Sequence, residues 1–217
     1  MEKNKKHIYL MPGMAASPKI FEFLEFPSNY ETHLLDWILP IEEESLSEYA
    51  FRLAQQITHP KPTLLGVSFG GIIVQEIAKI IDYEKIIVVS SVKTKYELPK
   101  KMLLARYTNL HKLLPVGLVN SLEYWKQFSF IDSFTKRIEL YEKYIGMRSI
   151  SYLDWSIDKI VNWEQTEPLP NTIHIHGDKD AVFPMKYISD AIVVKNGTHI
   201  MVINRYKWFN ENFSNLL

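Results

Sequence analysis

Three side chains able to perform acyl chemistry stand far apart along this chain, each just past a short apolar run. Ser68 lies in Gly66-Val67-Ser68-Phe69-Gly70, and His199 in Asn196-Gly197-Thr198-His199. Two acids, Asp178 and Asp180, share the segment His176-Gly177-Asp178-Lys179-Asp180-Ala181-Val182-Phe183-Pro184. A serine hydroxyl is a poor nucleophile at neutral pH and needs a base within hydrogen-bond reach. An imidazole serves as that base when a carboxylate fixes its tautomer and stabilises the imidazolium formed during attack. The pattern therefore points to nucleophilic catalysis, provided the fold carries a serine, an acid and a histidine to one place.

The elements that must do the carrying are legible around Ser68. The run 63–67 is too short for a helix and suits a buried parallel strand, whereas 69–81 is long enough for a helix and apolar on nearly every side. A strand that becomes a helix within one tight turn holds its turn residue in a strained conformation, and glycines two before and two after allow the close approach. Ser68 is thereby lifted out at the strand's C-terminal end, the layout of a nucleophile elbow.

Strand and helix alternate through the first part of the chain. Strands are expected at 8–11, 32–37, 63–67 and 85–91, with helices at 17–26, where Pro18 takes the first position, and at 45–57, opened by a capping box at Ser45-Leu46-Ser47-Glu48. From 93 to 170 the alternation stops. That stretch has no convincing strand but four helical segments, 99–114, 116–128, 131–145 and 150–163, and many aromatics, among them Tyr107, Tyr124, Trp125, Phe128, Phe130, Phe134, Tyr141, Tyr144, Tyr152, Trp155 and Trp163. Most of these rings read as core, and some as the wall of an apolar pocket. Beyond it the pattern resumes with strands at 172–177 and 191–195, a short helix at 185–189, and a closing helix at 200–213. In such a sheet Ser68, the acid pair and His199 all follow strand C-termini, which is where they must be to meet.

Composition narrows the function classes. A chain of 217 residues reads as one domain with room for an insertion, able to bury a core without metal or disulfides. Lys+Arg and Asp+Glu are equal at 25 each, and the basic residues do not cluster, which argues against a nucleic-acid surface. The absence of cysteine excludes thiol catalysis and thiolate metal sites. The apolar run after Lys6 is too brief for a signal-peptide core or a membrane span, so a cytoplasmic location is expected.

With these segments in hand, the chain resembles a small member of the alpha/beta-hydrolase superfamily over nearly its whole length. Gly66-Val67-Ser68-Phe69-Gly70 matches that family's nucleophile motif, implying Ser68 as nucleophile. The segment 176–184 matches its His-Gly-x-x-Asp-x-x-x-Pro pattern, in which the second acid is the triad member, so Asp180 is favoured over Asp178. Asn196-Gly197-Thr198-His199 resembles the Gly-x-His that carries the base. The resemblance further implies a core at 1–92 and 171–217, a helical cap at 93–170, and an oxyanion hole from the backbone amides of Met14 and Phe69. Two departures stand out: Pro12-Gly13 replaces the usual His-Gly, and there is no room for the family's first hairpin, so a doubly wound sheet of about six parallel strands is expected.

The remaining chemistry-bearing residues have plainer readings. His7, His33, His59, His111 and His174 read as surface or satisfied buried residues. His174 and His176 share a strand face, but no third ligand is evident, so neither metal nor cofactor is expected. Asp178 reads as a turn former, Asp36 as structural, and Gly70-Gly71 lacks the context of a phosphate loop. The expected activity is carboxylic ester hydrolysis through an acyl-enzyme, on a small substrate with an apolar part. Acyl transfer, thioester hydrolysis or carbon–carbon hydrolysis could use the same triad, and a protein that keeps the pocket only to bind a ligand is the rival from another class.

Overall fold

Six short segments pair side by side as one all-parallel sheet in the computed structural model, which describes residues 5–108 and 143–217. The strands are β1 (Lys6–Met11), β2 (Tyr30–Leu34), β3 (Thr63–Val67), β4 (Lys85–Val89), β5 (Thr172–Gly177) and β6 (Ile192–Val194), in the order β2-β1-β3-β4-β5-β6. The helices are α1 (Leu46–Ala54), α2 (Phe69–Ala78), α3 (Lys100–Thr108), α4 (Ile150–Val161), α5 (Met201–Asn204) and α6 (Tyr206–Leu216).

Alternation along the strands divides the core into two layers. Tyr9, Met11, Leu64, Ile86 and Val88 pack on one face with Tyr49 and Leu53 of α1, Ile72 and Ile73 of α2, and Tyr152 of α4. On the other face Ile8, Leu10, Leu65, Ile87 and Ile175 meet Met201, Phe209 and Phe213 of α5 and α6. Both sides of β3 are buried, which is why it reads as a continuous apolar run with no polar alternation. The sheet is thus doubly wound. Because β2 lies outside β1 while β3 lies on its other side, the strand order reverses between β1 and β3, the switch point of the sheet.

Local signals account for several element ends. Ser45 caps α1 reciprocally: its Oγ accepts the Glu48 N–H while the Glu48 carboxylate accepts the Ser45 N–H. The helix ends at Ala54, three residues short of the expected 57. At 17–26 the expected helix is absent, and only one 3-10 turn forms, Pro18–Phe21. Pro27 disfavours helix at the residue before it, leaving too few residues to offset nucleation. Ile20 and Phe21 are instead buried, and Phe26 stacks on Phe213. Likewise β2 begins at Tyr30 and stops at Leu34, so Trp37 lies beyond it with its N–H donating to Asp36 Oδ1. The closing helix breaks at Arg205 into α5 and α6, and the expected helix at 185–189 is a 3-10 turn, Met185–Tyr187.

Between β4 and β5, α3 and α4 fall within the expected helical segments 99–114 and 150–163. The segment 116–128 and most of 131–145 lie outside the described residues, as do His111, Tyr124, Trp125, Phe128, Phe130, Phe134 and Tyr141. Tyr144, Tyr152 and Trp163 are buried, the core reading of these rings. No helix among the described residues is long and apolar enough to cross a membrane.

Candidate active site

Ser68 joins β3 to α2 with φ 53 and ψ −123, a region that side chains rarely adopt. Such strain costs on the order of 1–3 kcal/mol and persists only where the surroundings over-determine it. Here they do. The Ser68 N–H donates to the Val89 carbonyl (2.9 Å), and the Ser68 carbonyl accepts from Ser91 Oγ (2.6 Å) and the Gly71 N–H (2.9 Å). A Cβ on Gly66 would stand 2.2 Å from the Gly70 carbonyl oxygen, and one on Gly70 would stand 2.3 Å from that of Pro12. Strand, helix and the loop after β1 therefore close on one another only because both positions lack a side chain.

His199 arrives from the other end of the chain, on the loop after β6. Its Nε2 lies 2.9 Å from Ser68 Oγ, and its Nδ1 lies 2.9 Å and 3.1 Å from the two oxygens of Asp180. An ionised carboxylate can only accept, so Nδ1 carries the proton and the Nε2 lone pair faces the hydroxyl. The imidazole is 23% exposed, while the Asp180 side chain is fully buried, so solvent can reach the imidazole but not the carboxylate beside it. Burial alone would raise the Asp180 pKa. The His199 hydrogen bond and charge, with the Phe183 amide, outweigh it and hold the carboxyl below its ordinary value. Oδ1 of Asp180 also accepts the N–H groups of Val182 (2.8 Å) and Phe183 (2.9 Å).

A second histidine stands behind the acid. His176 is fully buried, its Nε2 donates to the Phe183 carbonyl (2.8 Å), and the same nitrogen lies 3.6 Å from Asp180 Oδ2. Its Nδ1 then accepts from His174 Nε2–H (3.2 Å), which is shared with the Ser91 carbonyl (3.0 Å). Burial pushes both imidazoles down, His174 to about 3, so this pair is neutral at pH 7. Asp178 takes no part: it is exposed in the turn, with its N–H donating to the Val194 carbonyl.

The loop after β1 covers the serine. A Cβ on Gly13 would be 3.4 Å from Ser68 Cβ and 4.0 Å from its Oγ. The Gly13 carbonyl accepts from Trp37 Nε1–H and from the Ala16 N–H, both at 2.9 Å. In a trans peptide the following N–H points opposite to that carbonyl, so Trp37 sets the direction of the Met14 amide. Ala15, at φ 61, donates its N–H to the Tyr152 hydroxyl (3.3 Å), and its carbonyl accepts the Gly146 N–H (2.7 Å). Phe69 is the first residue of α2, where an amide has no partner within the helix.

Ser68, Asp180 and His199 are thus brought together, with Met14 on the loop after β1 and Phe69 at the start of α2 beside them. Sequence reasoning missed Trp37, which it placed in a strand, and the work of Ser91, Tyr152 and His176 in holding this constellation. His176 alone had a signal, its place in the His-Gly-x-x-Asp segment. His7, His33 and His59 lie at the opposite, N-terminal end of the sheet.

No family model and no curated protein matches the sequence. Solved structures do resemble the fold. A lipase-esterase related protein from Clostridium acetobutylicum aligns with a TM-score of 0.61 at 18% identity, over 100% of this chain and 96% of that one. A bromoperoxidase from Bacillus anthracis gives 0.65 at 17% identity, over 98% and 91%. MGS-M2, an alpha/beta hydrolase enzyme from a Medee basin deep-sea metagenome library, gives 0.63 at 16%, over 100% and 90%. Identities this low speak for architecture, which is shared along nearly the whole of each chain.

Proposed function

We propose that this chain, whose fold is that of the alpha/beta hydrolases, is a serine hydrolase that cleaves a small carboxylic ester through an acyl-enzyme on Ser68. The observation that carries this reading is the continuous hydrogen-bonded line from Asp180 through His199 to Ser68 Oγ, each step 2.9 Å. It lies at the C-terminal edge of the sheet, beside the point between β1 and β3 where the strand order reverses, the place where doubly wound sheets bind their ligands.

In the first half-reaction His199 Nε2 takes the Ser68 proton as Oγ bonds to the ester carbon, and the carbonyl electron pair moves onto its oxygen. The Met14 and Phe69 amides receive that oxyanion, one such donor being worth about 3–4 kcal/mol of barrier. The positive end of α2 adds to the same effect. Collapse of the intermediate breaks the bond to the alcohol, which leaves with the proton from His199. Water then gives a proton to His199 and attacks the acyl carbon, and Ser68 leaves as a hydroxyl, releasing the acid. Asp180 stays ionised throughout, its Oδ1 held by the amides of Val182 and Phe183. An ester is favoured over an amide because an alcohol is the easier leaving group. The aromatic-rich stretch 93–170 is read as a cap, and with it an apolar acyl or alcohol part in the substrate.

A fluorophosphonate probe tests the proposal. Labelling of the wild-type protein at Ser68, its loss in Ser68→Ala, and turnover of p-nitrophenyl esters are expected. A folded wild-type protein that neither labels nor hydrolyses would overturn it in favour of ligand binding without chemistry.

A further inference from the structure

Three histidines distant in sequence meet at the N-terminal end of the sheet, on the face that carries Tyr9. His7 comes from β1, His33 from β2, and His59 from the loop between α1 and β3. Each offers one ring nitrogen, and these all lie within 4.8 Å of one another. His7 Nδ1 and His33 Nε2 are 3.0 Å apart, while the rings of His7 and His59 stack with centroids 3.6 Å apart. All three side chains are half-buried, which leaves them room to turn.

We propose that His7, His33 and His59 form a binding site for a divalent transition-metal ion that prefers imidazole, zinc being the representative. Zn–N bonds of about 2.0–2.1 Å in tetrahedral geometry set ligand nitrogens roughly 3.4 Å apart. One pair is already inside that separation, the others need to close by at most about 1.4 Å, and the stacked rings of His7 and His59 must turn apart for their lone pairs to converge. The second sphere is also built. Tyr9, buried on the same face, has its hydroxyl 2.8 Å from His59 Nδ1 and accepts the Thr58 N–H at 3.1 Å. That contact leaves Nε2 of His59 for the ion and fixes the ring, as the outer partners of metal-binding histidines do. A water takes the fourth position.

Bound there, a cation would pin the edge strand β2 and the α1–β3 loop to β1, at the end of the sheet opposite Ser68. The role is structural, and ester turnover is expected to be independent of it.

The test uses tag-free, chelator-treated full-length protein. Titration with zinc is expected to show one ion per chain and a rising unfolding temperature, and cobalt is expected to give the visible bands of a four-coordinate site. His7→Gln, His33→Gln and His59→Gln should each weaken binding at least tenfold, and Tyr9→Phe by about 10- to 100-fold. Ser68→Ala and His199→Ala should bind zinc as the wild type does, which separates this site from the catalytic histidine. The proposal is overturned if the wild-type protein takes up no stoichiometric zinc, or if the three glutamine variants bind it unchanged.

Discussion

Gly177 and Gly197 are packed backbone on backbone: a Cβ on Gly177 would stand 2.3 Å from the Gly197 carbonyl oxygen. The Lys179 N–H donates to that same carbonyl (2.9 Å), so the turn that presents Asp180 and the loop that presents His199 move as one body. Asp180 and His199 are aligned by this contact, as the proposed reaction requires before any substrate arrives.

Gly177→Ala should therefore damage geometry and stability together. The clash is with backbone, which cannot swing aside, so a loss of about 1–3 kcal/mol is expected. Ester kcat should fall further than the small displacement suggests, because misplacing a catalytic group by about 1 Å costs on the order of 100-fold. Denaturant unfolding and steady-state kinetics on one preparation check both parts.

Asp180→Asn should leave the fold in place and remove most turnover. An amide can donate to His199 and so favour the wrong tautomer, a change expected to lower kcat by roughly 10⁴. Fluorophosphonate labelling rates should fall in parallel with ester turnover, while Asp178→Asn changes neither.

Trp37→Phe isolates the loop proposed to hold the oxyanion. It keeps the ring stacked on Phe69 (centroids 5.3 Å apart) but deletes the donor to the Gly13 carbonyl. A net hydrogen bond of about 0.5–1.5 kcal/mol is lost, and with the Met14 amide freer to turn, kcat should fall about tenfold at nearly constant KM. An unchanged kcat would show that the loop is held well enough by Ala16, Tyr152 and Gly146.

Acid should destabilise the protein from neutral pH downward. His174 and His176 have folded pKa values below the unfolded value near 6.5, so below that pH the unfolded chain binds protons that the folded chain does not. Stability present at pH 7 is then lost at up to roughly 1 kcal/mol per pH unit for each histidine, for His174 until its folded value of about 3 is reached. Asp180, also depressed, adds a loss of the same sign below about pH 4. Unfolding free energies between pH 7 and pH 4 should show the slope, and His174→Gln should flatten it.

Much of this was legible along the chain because it is encoded locally. Thr63–Val67 followed by Phe69–Ala78 announces a buried strand turning into a helix, and Gly66 and Gly70 announce the turn. Parallel strands put their ends at one edge, so Ser68, an acid and His199 had somewhere to meet. The same local logic failed at 17–26, where Pro27 and the burial of Ile20 and Phe21 outweighed helix propensity, and at the 32–37 strand, where Trp37 left the sheet.

What only the folded chain decided are contacts between segments that share no pattern. That Trp37 orients Gly13, that His176 backs Asp180, and that His7, His33 and His59 converge are all consequences of which strands became neighbours. Periodicity reports which face of its own element a residue occupies. It carries no record of what the opposing element places there, and that is set by strand order and packing across the whole sheet.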